Sequence, residues 1–212
     1  MSKEENVLRY YLLCNKLKNV IRTGWKDWNV KGERLESVAE HIYGVQMLAL
    51  AMNSEFHYDI NIMKVLYMLA VHELEEIYIG DLTLFQISSS QKKLLGHEAV
   101  SKVLGNLIKK EEIQEIIEEF DARITKEAKF AYHCDKLECD LQSKIYDERN
   151  LVDLNDQQDN KTFYDERVQK FLKECKSFSD MWLLFGQSLY SYDENFTAVS
   201  NYARKNDILK LI

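Results

Sequence analysis

The chain has 212 residues, with no proline and only seven glycines, whereas average usage would give about 11 prolines and about 15 glycines. This composition excludes collagen-like and proline-rich architectures, and it argues against an all-β sandwich or barrel, which needs frequent turn residues. The 46% of hydrophobic residues excludes intrinsic disorder, and the formal charge of −7 argues against a broad nucleic-acid-binding surface. We therefore predict a globular, mostly helical protein.

The cysteines and the N-terminal segment both indicate in which cellular compartment the protein resides. Cys14, Cys134, Cys139 and Cys175 are widely spaced, and a chain of this length needs no disulfides, which favours reduced thiols. The segment MSKEENVLRYYLLCNKLK carries charges where a signal peptide needs a continuous apolar core. No apolar run approaches the roughly 18 residues of a membrane span. We expect a cytoplasmic protein with no membrane partner.

Apolar residues recur at helical spacing along almost the whole chain, which predicts about eight or nine helices. The first helix would end near the turn at residues 22–24, and an irregular stretch follows. Ser37 and Glu40 fit a capping box for a second helix that runs to about residue 54. Asp59 can cap a third helix, which would end before Gly80 because glycine is a common helix stop.

The second half of the chain continues the helical pattern. Residues 81–90 and the polar residues 153–161 are expected to be loops. The remaining helices are predicted at residues 91–109, 111–122, 126–149, 162–176, 180–192 and 194–211. The polar loop is short for a domain linker, so one domain over residues 1–212 is predicted.

A histidine and three acids crowd the end of the third predicted helix. His72 and Glu73 are adjacent, and Glu76 follows at helical spacing on the same side. Asp81 comes directly after the predicted stop at Gly80. Carboxylates with a histidine can bind a divalent cation and leave one acid free for proton transfer. The alternative interpretation is an acidic, solvated helix face.

Two more residues could contribute to a metal site. His41 lies in the apolar second helix, where a histidine is more often a core residue than a ligand. Asp135 lies in an apolar helical stretch, and a buried carboxylate needs a cation or another partner. Lys136 is not expected to be that partner, because adjacent residues on a helix do not face each other. The sequence contains neither an HExxH zinc motif nor the Glu-x-x-His pairs of di-iron bundles.

Taken in order, these residues form a recognisable pattern. His41, the His72-Glu73 pair and Asp135 follow one another as in the H…HD…D pattern, and the chain resembles the HD-domain metal phosphohydrolases. Four short motifs in the same order are similar to the bacterial HD-domain 5′-deoxynucleotidase group and its eukaryotic relatives: RTGW at 22–25, ESVAEH at 36–41, HELEE at 72–76 and GDL at 80–82. The resemblance implies an all-α, single-domain bundle of the HD type over residues 1–212.

The resemblance also implies a metal centre. Its ligands would be His41, His72, Glu73 and Asp135, and its cofactor would be a divalent metal ion, with Mn, Co, Mg, Fe, Ni and Zn all open. One departure concerns the second element, which is His-Glu where the family has His-Asp. Glutamate keeps the charge and the oxygen donors but lengthens the reach by about 1.5 Å, so metal geometry and preference are expected to differ.

Reaction and substrate residues follow from the same resemblance. Glu76 matches the acid that positions or activates the attacking water, and Asp81 matches a second acid near the phosphate. Arg22 and Trp25 match the arginine and tryptophan that approach the substrate, and Trp28 is the alternative to Trp25. A guanidinium fork suits a pair of phosphate oxygens.

The function predicted from these features is a metal-dependent phosphomonoesterase that hydrolyses (deoxy)nucleoside 5′-monophosphates to nucleoside and phosphate. The partner of the protein would be a small-molecule nucleotide and not a nucleic-acid polymer. Because members of the family often form homodimers, the resemblance also implies a homodimer. One alternative is an HD-type hydrolase of another phosphorylated metabolite, such as a nucleoside triphosphate or an alarmone. Another is a helical binding module with a degenerate catalytic site, for which Glu73 is the support.

Overall fold

Helices make up nearly all regular structure in the computed structural model, which describes the backbone of residues 1–212 and every side chain except that of residue 89. Over the described backbone no strand occurs, and the predicted all-α class is confirmed. The α-helices are α1 (Lys3–Cys14), α2 (Thr23–Asp27), α3 (Val38–Phe56), α4 (Ile62–Val71), α5 (Glu76–Ile79), α6 (Ser89–Leu104), α7 (Lys110–Ala122), α8 (Lys126–Glu148), α9 (Glu166–Leu172), α10 (Phe178–Tyr190) and α11 (Glu194–Lys205).

Two further helical segments are of the 3-10 type, Asn15–Asn19 and Ile208–Leu211. Within the described backbone nine α-helices have seven residues or more, in agreement with the predicted eight or nine. The helices α2 and α5, with five and four residues, were not predicted as separate elements. Both are too short to show a periodic apolar pattern, and both lie next to residues of the predicted site.

The predicted capping box at the start of α3 is present. The Ser37 hydroxyl accepts a hydrogen bond from the backbone N–H of Glu40 at 3.3 Å, and the Glu40 carboxylate accepts one from the N–H of Ser37 at 2.9 Å. α3 then continues to Phe56, and His57 ends it in the left-handed conformation. The reciprocal bonds satisfy two backbone donors that a helix start leaves open.

The third predicted helix is divided in two, which corrects the prediction of one continuous helix before Gly80. α4 ends at Val71 and α5 begins at Glu76, and the residues between them form tight turns. The N–H of Leu74 donates to the carbonyl of Val71, and the N–H of Glu76 donates to that of Glu73, both at 3.2 Å. These bonds span three residues instead of four, so the chain winds more tightly here than in an α-helix.

Several other boundaries also differ from the predicted ones: α6 begins at Ser89 and ends at Leu104, α9 spans only Glu166–Leu172, and α11 ends at Lys205. Asn61, not Asp59, caps α4, because its side chain accepts a hydrogen bond from the N–H of Lys64, while Asp59 pairs with Lys126. The first helix ends at Cys14 and gives way to a 3-10 helix and extended backbone, although the apolar pattern continues to residue 21.

The chain divides into two compact units. The first unit consists of Met1–Thr23 and Glu36–Tyr132, and the second consists of Gly24–Leu35 and His133–Ile212. Each unit is thus built from two separate stretches of chain. The single domain over residues 1–212 stays a prediction.

Each unit has a core of its own. In the first unit a cluster joins α4, α6 and α7 through Val71, Leu74, Val100, Val103, Leu104 and Ile117. In the second unit an aromatic cluster forms around three tryptophans, with ring centroids 5.3 Å apart for Trp25 and Trp182 and 5.1 Å apart for Trp28 and Phe178. Buried aromatic pairs at such distances add to the stabilisation that burial provides.

Among the described helices, none has both the length and the apolar character that crossing a bilayer requires.

Candidate metal centre

A short antiparallel bridge places Arg22 beside the start of α3. Ile21 and Ser37 are the bridge partners, and the N–H of Arg22 donates to the carbonyl of Glu36 at 3.0 Å. On the other side of the bridge, the N–H of Val38 donates to the carbonyl of Val20 at 2.8 Å. Arg22 is therefore held by backbone bonds next to the first turn of the helix that carries His41.

Two histidines and Glu73 form the centre of the site in the first unit. His41 lies on the first turn of α3 and is fully buried, and His72 ends α4 with 5% of its surface exposed. Nε2 of His72 lies 3.5 Å from Oε1 of Glu73, and Nε2 of His41 lies 3.9 Å from the same oxygen. The ligand atoms of the three residues all lie within 4.8 Å of one another.

A backbone bond fixes the tautomer of His72. Nδ1 of His72 lies 2.9 Å from the carbonyl oxygen of Leu69, and a carbonyl oxygen can only accept a hydrogen bond. The proton of the neutral ring therefore resides on Nδ1, which leaves the lone pair of Nε2 directed toward Glu73. Metal-binding histidines usually have this arrangement, in which the second ring nitrogen donates to a carbonyl or carboxylate.

Glu76 is the most deeply buried acid of the site, with 1% of its surface exposed. Its Oε1 accepts a hydrogen bond from Nζ of Lys92 at 3.3 Å. Its Oε2 is buried and makes no hydrogen bond to any side chain or backbone that the structure describes. Burial raises the pKa of Glu76 well above its usual value, the charges of Glu73 and Asp81 raise it further, and Lys92 and Arg22 oppose the shift.

Asp81 is held at the edge of the site by contacts with residues 22 and 23. The backbone N–H of Thr23 donates to Oδ2 of Asp81, and Nη1 of Arg22 lies 3.7 Å from its Oδ1. The same Nη1 lies 3.6 Å from Oε1 of Glu73, so Arg22 stands between two carboxylates. Gly80 precedes Asp81 with φ 72° and ψ 172°, a conformation that is essentially restricted to glycine.

The residues present fit a divalent metal ion. Two imidazole nitrogens and a carboxylate oxygen converge in a buried place, and this mixture of donors suits zinc and the other divalent first-row metals. A bound cation would help to offset the cost of taking the Glu73 carboxylate out of water, as the neighbouring Arg22 does.

The structure brings together six of the predicted site residues in the first unit: Arg22, His41, His72, Glu73, Glu76 and Asp81. The other two, Asp135 and Trp25, belong to the second unit. Asp135 lies on α8 with 2% of its surface exposed, and Nζ of Lys136 lies 2.8 Å from its Oδ2. The prediction that Lys136 would not pair with Asp135 is wrong, because the long lysine side chain bends back to its neighbour.

Both candidate tryptophans are core residues of the second unit. Trp25 is 2% exposed, and its ring centroid lies 5.2 Å from that of Tyr146. Trp28, the predicted alternative, is 1% exposed and lies edge-on to Phe163 at 6.0 Å. A role of either tryptophan at the substrate stays a prediction.

Lys92 is the site residue that the sequence did not reveal. It lies in the first turn of α6, sixteen positions after Glu76, in a segment where no motif singles out one lysine. The one available signal was indirect, since a buried glutamate needs a cation nearby. Which of several lysines supplies it depends on how α5 and α6 pack.

A family model for the HD domain matches residues 14–179. The chain belongs to the HD-domain family. The match covers well over half of the chain, and it includes every residue of the predicted metal centre. The predicted resemblance is confirmed, and the protein is a metal-dependent phosphohydrolase of the HD type.

Individual proteins are also similar to this chain. The 5′-deoxynucleotidase HDDC2 of Dictyostelium discoideum is 30% identical over 174 residues, which are 78% of this chain and 90% of that protein. The protein of the same name in Danio rerio is 31% identical over 147 residues, or 68% and 71% of the two chains. A solved structure of a conserved hypothetical protein from Pyrococcus furiosus is similar with a TM-score of 0.60 and 26% identity, covering 79% of this chain and 97% of that one.

Proposed function

We propose that this HD-domain protein hydrolyses (deoxy)nucleoside 5′-monophosphates to nucleoside and phosphate. The observation that carries the proposal is the convergence of His41, His72 and Glu73 within 4.8 Å, with Glu76, Asp81 and Arg22 around them. Relatives of about 30% identity are named 5′-deoxynucleotidases, which points to a nucleotide with one phosphate as the substrate.

The proposed metal ligands are His41, His72, Glu73 and Asp135. The first three are supported by their convergence in the first unit, and Asp135 by its match to the last acid of the family pattern and its burial on α8. The family match from residue 14 to residue 179 includes parts of both units, which supports a single HD-type domain. A divalent ion held there would supply positive charge that polarises a phosphate oxygen and makes the attacking water more acidic.

The side chains of the first unit account for the remaining chemistry. The guanidinium of Arg22 binds phosphate oxygens and offsets their charge, since its planar fork matches a pair of oxygens. Oε2 of Glu76 accepts the proton of the attacking water as the water oxygen bonds to phosphorus. The bond from phosphorus to the 5′ oxygen of the sugar then breaks, and Asp81 or Glu76 returns a proton to that oxygen. Outside the first unit, Trp25, or Trp28 in its place, is the tryptophan that we propose for the substrate.

The test is phosphate release from dAMP by the purified protein with added Mn²⁺ or Co²⁺. We expect His72→Ala and Asp135→Ala each to lower the rate at least about 100-fold and to reduce the Mn²⁺ retained after dialysis. His57→Asn is the matched control, because His57 is an exposed histidine at the end of α3 and its left-handed conformation tolerates asparagine. Full activity in either alanine variant would refute the ligand assignment.

Side-by-side turnover of dAMP, AMP, a nucleoside triphosphate and an alarmone tests the substrate class. Faster hydrolysis of the triphosphate or the alarmone than of the monophosphates would contradict the proposal. Bound metal without hydrolysis of any of these phosphates would favour a binding module instead.

The proposal includes a cytoplasmic homodimer that binds neither nucleic-acid polymers nor membranes. Four free cysteines support a reducing compartment, and the net charge of −7 is unfavourable for binding a polyanion. Light scattering of the purified protein tests the oligomeric state, and a monomer at micromolar concentration would contradict it.

A further inference from the structure

Lys92 is placed at the site by the first turn of α6. Ser88 caps this helix: its hydroxyl accepts a hydrogen bond from the N–H of Gln91, and the Gln91 side chain accepts one from the Ser88 hydroxyl at 2.8 Å. The N–H of Lys92 donates to the carbonyl of Ser88 at 2.9 Å, so its backbone is fixed by the cap. α6 packs against α5, the helix that Glu76 begins, and the two side chains meet there.

A lysine at this position is unfavourable for the helix that carries it. The N-terminus of a helix bears a partial positive charge, and cations near it are destabilising. No acidic residue occupies the first turn of α6 to offset that charge. The local sequence therefore gives Lys92 no stabilising role within α6, and its ammonium instead lies 3.3 Å from a carboxylate that is fully buried.

The two oxygens of Glu76 have different surroundings. Oε1 accepts the hydrogen bond from Lys92, whereas Oε2 is buried with no hydrogen bond to the described residues. A glutamate side chain has three rotatable bonds, and an ion pair at one oxygen restricts them and fixes the direction of the other oxygen. The first unit also holds the carboxylates of Glu73 and Asp81, and both lie next to Arg22. Lys92 is the cation that approaches Glu76 from α6.

We propose that Lys92 is a positioning residue that holds Oε1 of Glu76 and thereby presents Oε2 to the attacking water. This inference rests on the proposed function, because it assigns Lys92 a part in the same hydrolysis. Lys92 acts through Glu76 and does not bind the substrate phosphate. Its removal therefore affects the chemical step and leaves substrate affinity and metal affinity nearly unchanged.

The experiment compares Lys92→Met with Lys92→Arg. Methionine keeps most of the length of the side chain without the charge, and we expect kcat for dAMP to fall roughly 10- to 100-fold with KM within about threefold of its original value. Arginine keeps a cation and restores most of kcat. Lys93→Met is the matched control, since Lys93 is the exposed neighbour on the same helix. Mn²⁺ affinity, measured by calorimetry, stays within about twofold in all three variants.

A double-mutant cycle with Glu76→Gln shows whether Lys92 acts through Glu76. If it does, adding Lys92→Met to Glu76→Gln causes no further loss of kcat. A rise in KM at constant kcat, losses that multiply in the double variant, or no rescue by arginine would each overturn the inference. Circular dichroism identifies a variant that fails to fold, and Lys92→Arg then carries the comparison. Absence of phosphatase activity in the unmodified protein would instead refute the proposed function itself.

Discussion

At the scale of single residues, Glu73 is the position where this chain departs from the HD pattern. Its extra methylene lengthens the reach of the carboxylate by about 1.5 Å relative to aspartate. The tight turns at residues 72–75 place the start of this longer side chain just beyond the end of α4. Oε1 nevertheless lies within 4 Å of both imidazoles and of Arg22. Glutamate in place of aspartate is therefore compatible with metal binding, and we expect it to change the affinity for the metal and which metal is preferred.

We expect Glu73→Gln to lower the affinity for Mn²⁺ at least about tenfold, because the amide keeps the shape but loses the anionic ligand. Glu73→Asp should weaken binding less, since the charge remains and only the reach is shorter. Glu75→Gln is the matched control: it makes the same chemical change two positions along the chain, at a carboxyl whose pKa is raised to about 8 by burial. Calorimetric titration with Mn²⁺ measures the effect, and an unchanged affinity in Glu73→Gln would remove this residue from the ligand set.

At the scale of elements, the cap of a helix could be predicted from the sequence, whereas a break within a helix could not. The capping box of Ser37 and Glu40 was read correctly because it depends on residues only three positions apart. The break between α4 and α5 was missed because Val71, Leu74 and Ile77 continue the apolar helical spacing across it. The pairing of Lys92 with Glu76 was also missed, since it depends on the packing of two helices that no local pattern encodes.

Gly80 connects α5 to Asp81, and its backbone conformation is one that other residues rarely adopt. We expect Gly80→Ala to lower the free energy of unfolding by about 1–3 kcal/mol. The cause would be backbone strain alone, because a methyl group at this position would have no atom within 4 Å. Relief of that strain would move Asp81 away from Thr23 and reduce kcat as well. Urea denaturation and steady-state kinetics measure the two effects.

Gly24→Ala is the control for this substitution. Gly24 lies within α2, and a Cβ there would meet only Trp182 at 3.8 Å, an ordinary contact. Alanine in a helix is favoured over glycine by about 0.5–1 kcal/mol, so Gly24→Ala should keep or raise stability. Equal stabilities of the two variants would contradict the interpretation of Gly80.

At the scale of the whole molecule, the three tryptophans of the chain all lie in the second unit, whereas His41, His72 and Glu73 lie in the first. Tryptophan fluorescence therefore reports on the second unit, and far-ultraviolet circular dichroism reports on the helices of both. The proposed ligand set takes Asp135 from the second unit. If the two units form one domain, they should unfold together and share the stabilisation that a bound metal provides.

We expect the fluorescence and circular dichroism midpoints to coincide in urea, as for a two-state protein. Mn²⁺ at about 100 times its dissociation constant should stabilise both by about 2.7 kcal/mol, and His72→Ala should abolish both shifts. Two separate transitions would contradict a single domain. A metal-dependent shift that appears in circular dichroism but not in fluorescence would exclude Asp135 as a ligand.

The antiparallel bridge between Ile21 and Ser37 has a consequence for how such a protein can vary in evolution. The bridge joins Ile21 to Ser37, so the two ends of the segment between them lie side by side in the first unit, while residues 24–35 belong to the second unit. The backbone bonds that anchor Arg22 beside α3 involve none of residues 24–35. Lengthening a loop costs little free energy, so insertions next to the exposed residues Glu33 and Arg34, away from the buried Trp25 and Trp28, would leave these bonds intact. The number of residues between Arg22 and His41 can therefore drift among relatives while the reacting groups keep their places.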